Sequence, residues 1–165
     1  MPAAVSGGIR ASARRSAVIA ADRARRPAAN HAEELIRVQA MTARIACKAI
    51  TGPTLKRLLD SVDQAACLPA RPGWERKAAA YAEIFRLLAD VAGGPLMVGQ
   101  YGGQARHIRD LMCTVGPVAN GMITSSRRRL IDRMRAGDAD GAALEMENHL
   151  RALHYMWRLA PGARL

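Results

Sequence analysis

The fold of this chain is set by the stretch RMRAGDADGAALEMENHLRALH, residues Arg133–His154. Gly137 can adopt the left-handed conformation that ends a helix, and Asp138 can accept backbone N–H bonds at the start of the next one. That next helix carries an apolar stripe at helical spacing, formed by Met146, His149, Leu150, Leu153 and Trp157. The pattern therefore predicts a helix end, a short turn, and a new helix whose apolar face includes His149.

The sequence from residue 31 onward predicts further helices joined by short loops. The segment TGPT (Thr51–Thr54) ends one helix and starts another, because proline is harmless in a first turn. The segments LPARPG (Leu68–Gly73), GGP (Gly93–Pro95) and GP (Gly116–Pro117) end the following helices, and a kink is expected at the glycines 102 and 103. No segment alternates like a β-strand. The sequence predicts an all-α antiparallel bundle of about six helices.

Length and composition restrict the class of protein further. A chain of 165 residues can form one domain with its own core, and the 4 % aromatic content favours an aliphatic core between helices. No apolar run is long enough to cross a membrane. The three cysteines, Cys47, Cys67 and Cys113, lack metal-finger spacing and are expected to be reduced thiols in or near the core. We therefore expect a cytoplasmic protein without a membrane partner.

The first 30 residues differ from the rest in charge. They hold six arginines against one aspartate, a charge of +5 out of the +11 of the whole chain. We predict a basic, disordered or partly helical tail over residues 1–30, a helical domain over 31–160 and a C-terminal tail over 161–165. An organelle leader and the codon bias of a high-GC genome also fit the tail. One alternative function follows, non-specific nucleic-acid binding through this tail.

Three stretches carry a family resemblance: CKAITGPTLKRLLDSVDQA (Cys47–Ala65), AEIFRLLADVAGGPLM (Ala82–Met97) and RRLIDRMRAGDADGAALEMENHL (Arg128–Leu150). They resemble the FCD domain, the C-terminal effector-binding and dimerisation domain of the FadR subfamily of GntR transcription regulators. The resemblance covers about residues 31–160 and implies a FadR C-terminal-domain-like bundle around a pocket for a small organic acid effector, in a homodimer. No nucleophile elbow, HExxH, P-loop or dinucleotide fingerprint occurs, so no enzyme is predicted.

Many members of that family hold a divalent metal through one aspartate and three histidines. Carried over by position, the aspartate falls on Tyr81, the first histidine on Phe85 and the second on Arg127. The last histidine is kept as His149. Because three of the four ligands are replaced, the resemblance implies a degenerate site. We predict no bound metal and no other cofactor.

These four positions are the predicted effector-binding residues. Arg127 shares the apolar face of Leu130, Ile131 and Met134, so its guanidinium can replace the charge of the metal and bind a carboxylate through a paired hydrogen-bonding fork. His149 would be a second donor and Tyr81 would offer a hydroxyl. Phe85 would make the pocket smaller or more apolar.

Two alternatives stay open at this point. Arg127 begins the run Arg127–Arg129 and could turn to solvent with its neighbours, since charged side chains are rarely buried. If the pocket is closed, the chain would only dimerise, as a purely structural helical interaction module.

The resemblance also concerns DNA binding. Whole regulators of the GntR family carry an N-terminal winged helix-turn-helix domain, for which about 30 preceding residues are too few. We therefore expect no specific DNA binding by this chain alone. It would be either a truncated reading frame or a stand-alone module that forms heterodimers with full-length GntR regulators.

Overall fold

The fold consists of α-helices joined by short turns. A computed structural model describes residues 31–161, and no strand occurs in this part of the chain. The helices are α1 (residues 31–49), α2 (Gly52–Cys67), α3 (Trp74–Val115), α4 (Asn120–Arg135) and α5 (Ala139–Leu159), with a single 3₁₀ turn at Pro117–Ala119 before α4. The all-α prediction is confirmed. The predicted tail over residues 1–30 and the last four residues lie outside the described residues.

Helix α3 is bent back on itself. A straight helix of its 42 residues would be about 63 Å long, yet the indole Nε1 of Trp74 near its start donates to the carbonyl of Met112 near its end, at 2.8 Å. The helical conformation is broken at Gly93 and Gly94, and Gly94 has φ +64°, which favours glycine. The two arms, residues 74–92 and 95–115, bring the bundle to the predicted six helical segments.

The expected kink at glycines 102 and 103 is wrong, because both residues continue the second arm of α3 as regular helix. The cost of a glycine in a helix is about 1 kcal/mol. Packing of the arm against its neighbours can offset such a cost, whereas the adjacent glycines at 93 and 94 adopt conformations that no helix contains.

The turn between α4 and α5 follows the prediction from the opening stretch. Gly137 has φ +70°, its N–H donates to the carbonyl of Met134 at 3.1 Å, and the N–H of Asp138 donates to the carbonyl of Arg133 at 3.0 Å. This pair of bonds is the Schellman ending of a helix. The Asp138 carboxylate then accepts the N–H of Gly141 at 2.8 Å, so one helix ends and the next begins within three residues.

The core is mainly aliphatic, as its composition predicts. The described residues from Leu35 onward form one compact unit, and every helix contributes its apolar stripe. The fully buried side chains include Leu58, Ile84, Leu88, Ile108, Met112, Ile123, Leu130 and Ile131. Among residues 31–161, none of the helices is both long enough and apolar enough to cross a lipid bilayer.

The cysteines follow their prediction in part. Cys47 is buried and Cys113 is half-buried, but Cys67 is exposed at the end of α2, so the expectation is wrong for that thiol. Burial is the main cause that raises the pKa of the Cys47 and Cys113 thiols. A raised pKa keeps a thiol protonated and unreactive, which fits two packing residues.

Candidate functional site

Arg127 points into the bundle from α4 and is only 1 % exposed. The residues that follow it at helical spacing, Leu130, Ile131 and Met134, are buried with it. The alternative that the arginine run turns to solvent is therefore wrong for its first member. It holds for the other two, because Arg128 pairs with Asp63 and Arg129 with Glu145 outside the core.

The guanidinium of Arg127 is buried without a counter-charge from residues 31–161. Its Nε, Nη1 and Nη2 atoms have no hydrogen-bond partner among residues 31–161, and its Cζ lies 4.5 Å from the centroid of the Phe85 ring. Burial lowers the pKa of Arg127 to about 9, so the group still carries its charge at neutral pH. An unpaired buried ion costs several kcal/mol, which makes this side chain costly in the absence of an anion.

His149 lies on the inward face of α5 and is 2 % exposed. Neither of its ring nitrogens has a hydrogen-bond partner within the described part of the chain. Burial, and then the positive charges of Arg127 and Arg129, lower the pKa of His149 well below its ordinary value. The ring is therefore neutral at pH 7 and presents one N–H donor and one acceptor nitrogen, both unused.

Tyr81 and Phe85 lie one turn apart on the first arm of α3, and both are buried. The hydroxyl of Tyr81 donates to Oδ1 of Asn120 at 3.1 Å and lies 2.5 Å from Oγ1 of Thr124. Because Thr124 donates its own proton to the Asn120 carbonyl at 2.9 Å, the tyrosine is the donor towards these oxygens. Its proton ties α3 to the start of α4, while its oxygen keeps acceptor capacity.

These four side chains come together where α3, α4 and α5 meet. Arg127 lies over the Phe85 ring, and its charge contributes to the lowered pKa of His149. Burial lowers the pKa of Arg127, and the nearby Tyr81 opposes part of that lowering. Helices α4 and α5 run antiparallel, since Arg129 pairs with Glu145 and Arg133 with Asp138. Three helices therefore contribute to a single buried polar cluster, which we name the Arg127 cluster (Tyr81, Phe85, Arg127 and His149).

Lys77 is a buried cation that the sequence reasoning missed. Its Nζ donates to the carbonyls of Ala66 at 2.9 Å and Leu68 at 2.6 Å, at the C-terminal end of α2, and lies 5.7 Å from the Tyr81 ring centroid. A lysine there satisfies orphan carbonyls and the negative end of the helix dipole. The sequence did carry one signal for its burial, because Lys77 lies four residues before Tyr81 and so shares the inward face of that helix. Lys77 is thus a bonded structural cation, in contrast to Arg127.

His154 is a second buried residue that the sequence reasoning missed, because it was expected to be exposed. It is buried on α5, with its ring centroid 6.3 Å from that of His107 and 6.5 Å from that of Trp157. His154 follows His149 by five residues, so it lies beside the apolar face that contains His149 and not directly on it. Its aromatic contacts identify it as part of the packing between α5 and the second arm of α3.

A comparison with models of protein families identifies the family of this chain. The model of the FCD domain matches residues 35–152, most of the chain and within the predicted helical domain. The chain belongs to the FCD domain family. FCD domains are the effector-binding regulatory domains of GntR-family regulators, and they typically dimerise. Neither the comparison with curated proteins nor that with solved structures gives a significant match.

The metal that many FCD domains hold does not fit the residues of this one. In the described ranges no group of three or more histidine, cysteine, aspartate or glutamate side chains is placed to hold a metal ion. The sequence resemblance assigns Arg127 to a ligand position of the family, and its charged guanidinium would repel a metal cation. Of the predicted ligand positions only His149 carries a side chain suited to a transition metal. The prediction of no metal stays a prediction.

Proposed function

We propose that this FCD domain binds the carboxylate of a small organic acid at Arg127, without a metal, and so acts as the sensing domain of a transcription regulator. The observation that carries the proposal is the fully buried guanidinium with three nitrogens that have no partner in residues 31–161. A carboxylate supplies the missing negative charge and two acceptor oxygens in the planar geometry that a guanidinium matches.

The other members of the Arg127 cluster support the same ligand. The ring of Phe85 holds the guanidinium plane in place, which reduces the rotamer entropy lost on binding. The neutral ring of His149 can donate one further hydrogen bond to the anion. Tyr81 lines the cluster but directs its proton to α4, so it contributes to the shape of the site and donates no hydrogen bond to the carboxylate.

The free-energy cost of burying an unpaired charge disfavours a purely structural role for Arg127. Replacing buried ionic groups with apolar residues of similar volume is often neutral or stabilising, so packing alone is better served by leucine or methionine. A protein that only dimerises would gain nothing from an unpaired charge in its core. The proposal is therefore a binding function with no catalysis, in a cytoplasmic homodimer that can also pair with full-length regulators of the same family.

Calorimetric titration of the full chain tests the proposal. The probes are acetate, propionate, lactate, succinate and benzoate, each titrated into wild type, Arg127→Met and the matched control Arg128→Met. At least one probe should bind wild type and Arg128→Met alike, and about a hundredfold more weakly to Arg127→Met, the loss of a charge-assisted pair of bonds. Affinity unchanged in Arg127→Met, or no binding of any carboxylate to wild type, would contradict the proposal.

The dimer is tested separately by sedimentation of the full chain. A homodimer should sediment at twice the mass of the chain, with and without the carboxylate. A monomer at micromolar concentration would exclude the homodimer while leaving the carboxylate site open to its own test.

A further inference from the structure

Exposed apolar side chains are concentrated on two neighbouring helices. Among the side chains that the structure describes, six large apolar ones are exposed, and five of these belong to α1 and α5. The five are Met41 and Ile45 on α1 and Leu144, Tyr155 and Leu159 on α5, between 39 % and 67 % exposed. Single exposed apolar residues are ordinary on a soluble protein, whereas a concentration of them marks an interaction surface.

The three apolar residues of α5 share the outward side of that helix. Exposed positions at 148 and 151 connect Leu144 to Tyr155 and Leu159 at intervals of three and four residues, which place neighbours on one side of a helix. The opposite side carries the buried His149 and Leu153. At a rise of about 1.5 Å per residue, the outward stripe is about 22 Å long.

Helix α1 runs antiparallel to α5. Arg44 on α1 pairs with Asp140 on α5 at 2.9 Å. Three residues further along α1, the pKa of the Cys47 thiol is raised by burial and then by the charge of Asp138. Moving forward along α1 thus corresponds to moving backward along α5.

The exposed residues of α1 therefore widen one end of the α5 stripe. Met41 lies one turn before Arg44, and Leu144 lies one turn after Asp140, so Met41 and Leu144 are level with each other. Ile45 lies one turn further along α1 than Met41, on the same side. One apolar end thus surrounds Leu144, and the other lies near the end of α5. We name the whole surface the α1–α5 face (Met41, Ile45, Leu144, Tyr155 and Leu159).

The charges at the centre of the α1–α5 face balance each other. Between the two apolar ends, Arg151 pairs with Glu147 at 2.9 Å. Such a centre lacks the excess of cations that nucleic acid requires. It suits a partner that has apolar ends and a balanced pair of charges between them, and a second copy of the same face has this composition.

We propose that a second copy of this chain docks on the α1–α5 face, with the two α5 helices antiparallel across a two-fold axis. The proposal rests on the homodimer of the proposed function and assigns its surface. An axis level with residues 149 and 150 places Leu144 opposite Tyr155 of the partner subunit, so each apolar end covers the other end of the second copy. The same axis brings Glu147 close to Arg151 of the partner subunit. Parallel helices would instead oppose like charges, which is unfavourable.

Sedimentation of the full chain at micromolar concentration tests this surface. Leu144→Glu and Met41→Glu each place a charge inside the proposed contact, where it would be desolvated without a partner. The dissociation constant of the dimer should rise at least about a hundredfold in each variant. The matched control is Val118→Glu, because Val118 is 75 % exposed and lies in the 3₁₀ turn before α4, outside the face. This control should sediment as a dimer, like wild type.

Exchange of the central charges gives a second test that a folding defect cannot imitate. Glu147→Arg makes both central positions of each copy positive, and Arg151→Glu makes both negative. Each variant alone should dimerise at least about tenfold more weakly than wild type. An equimolar mixture of the two should form a heterodimer, because every facing pair is then again of opposite sign.

The outcomes separate this surface from the proposed function. Dimers of unchanged affinity in Leu144→Glu and Met41→Glu would overturn the surface and leave the homodimer intact. Equal weakening in Val118→Glu, or a mixture of the charge variants that stays monomeric, would also overturn the surface. A monomeric wild type would overturn both the homodimer and its surface. The carboxylate site has its own titration and stands or falls independently of these results.

Discussion

The guanidinium carbon of Arg127 lies 4.5 Å from the centroid of the Phe85 ring, with both side chains buried. The face of an aromatic ring attracts a cation, and the attraction reaches about 2 kcal/mol when both groups are desolvated. Phe85 therefore supplies part of the stabilisation that a carboxylate would otherwise provide. This contact explains how the charge can remain in the core of the ligand-free protein with its donors available for an anion.

The stacking of Arg127 on Phe85 predicts energetic coupling between the two side chains. Unfolding in urea of Phe85→Leu, Arg127→Met and the double variant should give a coupling of about 1–2 kcal/mol. The reason is that the loss of the ring matters more when the guanidinium is present. Strictly additive changes in the free energy of unfolding would mean that the contact contributes nothing.

Replacing the unpaired cation should stabilise the ligand-free protein. In Arg127→Met we expect the free energy of unfolding to rise by about 1–4 kcal/mol, as for other buried ionic groups exchanged for apolar ones. The lowered pKa of Arg127, about 9, has the same origin, since burial disfavours the charged form. Arg128→Met is the control and should change stability by less than about 0.5 kcal/mol. A large loss in Arg127→Met would instead reveal a structural partner.

Stability should depend on pH through His149. Burial is the main reason that its pKa in the folded protein lies well below 6.5, so protonation favours the unfolded chain. The stabilisation is complete above pH 6.5, the ordinary value, and is lost as the pH falls towards the folded-state pKa, by up to about 1.4 kcal/mol per pH unit. Denaturant titrations between pH 7.5 and 5 should show this slope in wild type. His149→Gln should flatten it, and an identical slope in that variant would assign the effect elsewhere.

Lys77 should contribute to stability and not to binding. In Lys77→Met the carbonyls of Ala66 and Leu68 lose their donor, which should cost about 1–3 kcal/mol of unfolding free energy. The affinity for the carboxylate that binds wild type should stay within about twofold, because Nζ of Lys77 already donates to two carbonyls at the end of α2. Lys56→Met removes an exposed pair with Asp60 and serves as the control, with little effect on either quantity.

The bend in α3 predicts opposite effects for two glycines. Gly94→Ala forces a side chain onto φ +64° and should lower the free energy of unfolding by about 1–2 kcal/mol. Gly99 lies in regular helix on the second arm, and a Cβ added there would meet no atom within 4 Å. Gly99→Ala should therefore raise stability by up to about 1 kcal/mol. Thermal unfolding of both variants checks the pair, and equal signs would contradict the bend.

Much of this protein could be predicted from local signals. Gly137 and Asp138 end and start helices through bonds to residues within five positions, so their pattern carries the information needed. The inward direction of His149 follows from the apolar residues around it on the same helix. The family follows from stretches of this kind, which is why the all-α bundle and the FCD domain were both predicted correctly.

Contacts between residues far apart in the sequence decided which buried polar groups have partners. The sequence by itself determined where helices begin and end and which faces are apolar, because these depend on neighbours within one or two turns. Only the tertiary structure decided that Arg127 lacks a counter-charge among residues 31–161 and that Lys77 bonds to the carbonyls of Ala66 and Leu68. Whether a buried polar atom is satisfied depends on partners tens of residues away, such as the Met112 carbonyl for the indole of Trp74, and helical periodicity carries no information about them.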